Sequence, residues 1–146
     1  MSQSESMRAC WFETFGPASE VLTCGELPKP RPASGEVLVH MKTTGVNPSD
    51  VKKRAGAFPS LLDEGLVIPH SDGAGVIESV GEGVASQRIG ERVWVYQAQF
   101  ARRFGSAAEY LAIDASRAAT LPSATKPRMN SGACGINKPG KERRSG

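Results

Sequence analysis

Glycine and proline divide this chain into short pieces, and the pieces alternate between apolar and polar residues as strands do. The clearest is "EVLVHMKTTG", Glu36 to Gly45. Val37, Val39 and Met41 fall on one face and Leu38, His40 and Lys42 on the other, the pattern of a half-buried strand. "AGVIESVGEGV" places Val76, Glu78 and Val80 on one side and Ile77 and Ser79 on the other, and Gly81 and Gly83 then permit a turn. Four further stretches read as strands: "MRACWFETFG", "EVLTCGELPKPRPASG", "GERVWVYQ" and "GSAAEYLAID". Gly16-Pro17 and the run Pro28, Pro30, Pro32 close off regular structure between them. Six or so short strands separated by such turns predict a compact, mainly β, barrel-like domain.

One helix interrupts this pattern. "NPSDVKKRAG" offers Asn47 as a cap, Pro48 at the first position, Asp50 in the first turn at the positive end of the dipole, and Gly56 as the stop. "FPSLLDEGLVIPHSDG" reads as a long irregular loop, and such loops in compact domains often serve function. The expected organisation is a disordered start over residues 1–6, a folded body over 7–125, and a disordered tail over 126–146. All nine aromatic residues lie between Trp11 and Tyr110, and the tail's composition cannot bury enough surface to order itself.

Charge separates the body from the tail. The net charge is +3, but residues 126–146 hold six basic residues against Glu142 alone, a balance of +5. The first 125 residues therefore carry −2, which argues against a nucleic-acid surface on the body. No apolar run approaches the roughly 20 residues needed to cross a bilayer, and the start lacks a signal-peptide core; a cytoplasmic protein is expected. Cys10, Cys24 and Cys134 are an odd number with no close pair in sequence. No disulfide framework and no metal knuckle can be read from them, and Cys10 and Cys24 read as small strand residues.

In order and spacing, "TGVNPSD", "IPHSDGAGVIESVGEGV", "IGERVWVY" and "GSAAEYLAI" resemble the N-terminal domain of medium-chain dehydrogenases/reductases over about residues 7–125. The closest branch resembles the zinc-independent NADPH:quinone reductases, which include zeta-crystallin. The resemblance implies a GroES-like fold, a partly open β-barrel with short helices. In complete members a Rossmann domain follows, and the nicotinamide of NADPH lies in the cleft between the two. No glycine-rich βα fingerprint occurs in this chain. With the abrupt change to basic composition at Lys126, that reads as a truncated or frameshifted frame, inert as an isolated chain.

By the same resemblance, cofactor-side residues are Asn47, Ser49, Asp50 and Lys52. Asn47 would line the cleft, with Ser49 and Asp50 shaping its wall. Lys52, where several quinone reductases carry a tyrosine, would meet a phosphate or point to solvent. Zinc-dependent relatives carry cysteine and histidine where this chain has Asn47 and Pro48, and a second histidine where it has Ser71, so catalytic zinc is not expected. Tyr96 and Gln97 are wall candidates, Tyr96 equally a packing residue. Gly73, Gly75 and Gly81 are structural. His40 should face solvent or a hydrogen-bond partner, and His70 should lie in the cleft-side loop without a catalytic role. Hydride transfer to a quinone or activated enone follows as the expected activity of the complete enzyme. A stand-alone module that binds a partner chain, through the barrel flank left exposed, is the alternative. A nucleic-acid role for the basic tail ranks third.

Overall fold

The computed structural model describes residues 5–123; the expected tail 126–146 and residues 1–4 lie outside the described residues. Strand β1 spans Ser6–Trp11, β2 Thr23–Pro28, β3 Glu36–Gly45, β4 Asp72–Val80, β5 Arg92–Val95, β6 Tyr110–Asp114 and β7 Ala118–Thr120. Two short helices accompany them, α1 over Ala18–Val21 and α2 over Pro48–Arg54. The strands form two antiparallel sheets, β1-β2 and β6-β3-β4-β5-β7, neither closed. The mainly β, partly open architecture with short helices is thus the observed one.

The larger sheet encloses the main core, where Val37, Val39, Ile77, Val93, Val95 and Ile113 are almost wholly buried. Each such side chain contributes about 1.5–3 kcal/mol on leaving water. A second, smaller core of Met7, Ala9 and Ile68 sits under β1-β2 and is packed by Trp11, Leu27 and Tyr110. Isolated bridges at Ala9–Ala108, Phe12–Val67 and Ile68–Phe104 tie β1, the segment after α2 and the segment before β6 to one another. The loop expected after α2 is therefore anchored: Val67 and Ile68 are buried within it.

Simple alternation fails in two strands. Leu38, placed on the outward face by its period, is buried. In β4 the pairing runs Leu38–Ser79 and then Val39–Ile77, so Glu78 is skipped. That bulge re-aims the strand and lets Ile77 and Val80 both pack on the main core. The two faces of β4 read from period alone therefore need correcting. Gly75 fits its assigned role. A Cβ there would strike the His40 carbonyl and come within 2.9 Å of the Val39 side chain, so only glycine lets β3 and β4 approach.

The cysteines also require correction. Cys10 and Cys24 are strand residues, but β1-β2 pairing sets them opposite each other and they form a disulfide, with Cα atoms 4.1 Å apart. Their 14-residue separation hid a hairpin-like neighbourhood that only the register reveals.

Candidate active-site cleft

Strand β3 delivers the chain to α2 through Gly45, Val46 and Asn47. The helix starts there because two groups satisfy each other: Asn47 N donates to Asp50 Oδ2 at 2.7 Å, and Asp50 N donates to Asn47 O at 2.9 Å. Gly56 ends the helix region with φ of +94°. The Asn47 side chain turns outward, and its Nδ2 donates to Asp72 Oδ2 at 3.0 Å. Asp72 opens β4 and faces Gly45 across the ladder. A Cβ on Gly45 would collide with the Asp72 carboxylate, so that glycine makes the Asn47–Asp72 bridge sterically feasible.

Around this bridge lies an open cleft of about 360 Å³, lined by Asn47, Lys53, Ser71, Asp72, Trp94, Tyr96, Gln97 and Phe100. Its aromatic wall is open to solvent: Trp94 is 48% and Phe100 65% exposed. Trp94 and Tyr96 rings stand 5.5 Å apart. Tyr96 OH donates to Ser116 O at 3.0 Å, so this residue both lines the cleft and braces the short turn after β6. Arg117 Nη1 donates to Gln97 O at 3.0 Å. Below α2, Lys53 Nζ donates to buried Gln99 Oε1 at 3.4 Å. Burial holds the Lys53 ammonium below its ordinary pKa, partly offset by the Asp50 carboxylate. Asp50 Oδ1 and Gln99 Nε2, both buried, have no hydrogen-bond partner among the described residues.

Of the four cofactor-side residues expected from sequence, Asn47 lines this cleft. Asp50 is buried at the helix start, while Ser49 and Lys52 are exposed on α2 and do not line the cleft. Sequence reasoning passed over Trp94, Phe100 and Lys53. Trp94 had a signal: Val93 and Val95 are core residues, so the tryptophan between them must face outward.

His70 does not line the cleft. With φ of +79°, it places Nδ1 3.0 Å from Thr44 Oγ1, which in turn lies 2.9 Å from buried Ser106 Oγ. Burial pushes the His70 imidazole below its ordinary pKa, opposed in part by Asp50 and Asp72. His40 stacks on Tyr110 with centroids 4.7 Å apart and lies 3.4 Å from Lys42 Nζ, a packed partner rather than free solvent.

The alcohol dehydrogenase GroES-like domain model matches residues 33–123. The chain belongs to this family. The matched domain includes every residue lining the cleft. An alcohol dehydrogenase of Geobacillus stearothermophilus is 38% identical over 95 residues, covering 63% of this chain and 27% of the relative. A quinone oxidoreductase of Rattus norvegicus is 36% identical over 93 residues, covering 62% and 27%. The solved quinone oxidoreductase of Coxiella burnetii superposes with a TM-score of 0.75 at 25% identity, over 82% of this chain and 38% of that one. This GroES-like chain thus spans little more than a quarter of the curated relatives it matches. Among its described residues no helix is long and apolar enough to cross a membrane.

Proposed function

We propose that this GroES-like domain forms one wall of a hydride-transfer cleft in a zinc-independent, NADPH-dependent reductase of quinones or activated enones. The observation that carries the reading is the composition of the cleft: an amide at Asn47 and exposed apolar rings at Trp94 and Phe100, with Lys53 beside them. Flat apolar rings suit a nicotinamide and a quinone, and an amide can bond a carboxamide or a carbonyl.

The fit is partial by design of the domain. The described residues contain no glycine-rich βα turn, so they suit the nicotinamide end of the cofactor and not its phosphates. NADPH, when bound, supplies the hydride. Asn47 would orient the ring's carboxamide or the acceptor's carbonyl, and Trp94 and Phe100 would exclude water from it. Lys53 Nζ, with its proton held less tightly than an ordinary ammonium because of burial, would deliver that proton to the acceptor oxygen as the hydride arrives.

Zinc independence is supported by the donor chemistry. Asn47, Pro48 and Ser71 occupy the positions at which zinc-dependent relatives carry ligands by the resemblance above, and none supplies a thiolate or imidazole. Asn47 is also committed to Asp72. The exposed apolar groups Val46, Val51, Trp94 and Phe100 support a covering partner, either a nucleotide-binding body or a second chain. Quinone-dependent NADPH oxidation by the Coxiella burnetii quinone oxidoreductase, with its matched part replaced by residues 5–123, tests the reading.

A further inference from the structure

A second pocket, of about 330 Å³, lies on the small core and shares no lining residue with the cleft. Its walls are apolar: Met7, Leu27, Ile68, Phe104 and Leu111 contribute to them. The volume falls at the lower end of ordinary small-ligand sites, about 300–1,000 Å³. No acidic residue lines it, yet two cations do, Lys29 and Arg102.

These cations differ. Lys29 is neutralised already: its Nζ pairs with Glu78 at 2.8 Å and Glu5 at 3.2 Å and sits 4.1 Å above the Tyr110 ring. Arg102 is half-buried, donates from Nη2 to Ala112 O, and has no carboxylate at ion-pair distance among the described residues. Asp114 feels its charge only at longer range. A guanidinium offers five donors in a planar fork that matches a carboxylate, and among the described residues one nitrogen alone has a protein acceptor. We propose that this pocket binds a small amphiphile carrying one carboxylate, with its apolar body, a single ring or a medium-length chain, against Ile68 and Phe104 and its carboxylate on Arg102. The site is independent of the hydride-transfer reading.

The test is a titration of the full chain with octanoate and, separately, with 1-octanol, followed by amide chemical-shift mapping and calorimetry. Octanoate binds saturably and at least tenfold more tightly than octanol, with shifts centred on Arg102–Gly105 and Tyr110–Ala112. Arg102→Gln removes the preference for the acid, and Arg102→Lys, which keeps the charge, restores it to within a few-fold. Equal binding of acid and alcohol, no saturable binding, or shifts centred on Asn47 and Ser71 instead would each overturn the proposal. Circular dichroism of both variants separates loss of binding from loss of fold.

Discussion

Asn47 Nδ2 donates to Asp72 Oδ2 at 3.0 Å, joining the start of α2 to the start of β4 across the floor of the cleft. This bond aligns the helix with the sheet. Replacing Asn47 with Asp sets two carboxylates against each other. Asn47→Asp should lose about 1–3 kcal/mol of stability at neutral pH, and the loss should shrink in acid as one of the pair takes up a proton. Urea unfolding at the two pH values reads this directly; an equal loss at both would show that the charges do not meet.

Asp50 fixes the first turn of the same helix through the Asn47 amide. Asp50→Ala should cost about 0.5–2 kcal/mol, the usual range for loss of a capping side chain. Asp50→Asn, which keeps an acceptor, should cost less. Helical circular dichroism and unfolding midpoints should fall together.

The disulfide between Cys10 and Cys24 closes a 14-residue separation. Removing it with Cys10→Ser and Cys24→Ser together should lower the unfolding free energy by about 3 kcal/mol, as expected for a loop of roughly this length. A dithiol reductant should reproduce the loss in the wild-type chain and leave the double variant unchanged. Identical curves with and without reductant in the wild type would show that the bond does not form in solution.

His70 has a folded pKa pushed down by burial, so the unfolded chain binds its proton more readily. Its contribution to stability is complete above about pH 6.5, the ordinary imidazole value, and is lost as pH falls from there through the lower folded value. The unfolding midpoint should therefore drop as pH falls below about 6.5. Asparagine tolerates the left-handed backbone at this position, so His70→Asn should fold and show a smaller drop. An unchanged drop would place the pH dependence elsewhere.

Much of the fold was legible because turns and strands obey local rules. "NPSDVKKRAG" specified α2 through its cap position, its proline and its stop; the proline and the glycine perform those tasks, while Asn47 holds the cap position with its side chain on Asp72 and the Asp50 carboxylate makes the capping bond. What was hidden depends on register. Skipping Glu78 moves Ile77 and Val80 to the same core, and pairing β1 with β2 joins two cysteines, and neither follows from a period of two. The cleft was half legible. Asn47 stood out by its place in a motif, whereas Trp94, Phe100 and Lys53 come from three separate segments that meet only in the folded chain.

As proposed, the Asn47 cleft supports zinc-free hydride transfer to a quinone. The direct measurement is quinone-dependent NADPH oxidation by the folded Coxiella burnetii exchange protein that carries residues 5–123, with Asn47→Leu and Lys53→Met variants beside it. Turnover should persist in the presence of a chelator. Lys53→Met should lower kcat by about 10²-fold, the usual scale for a lost general acid, with KM little changed, and Asn47→Leu should lower kcat/KM. A folded exchange protein that binds NADPH but reduces no quinone, or that oxidises an alcohol only when zinc is added, would contradict the account.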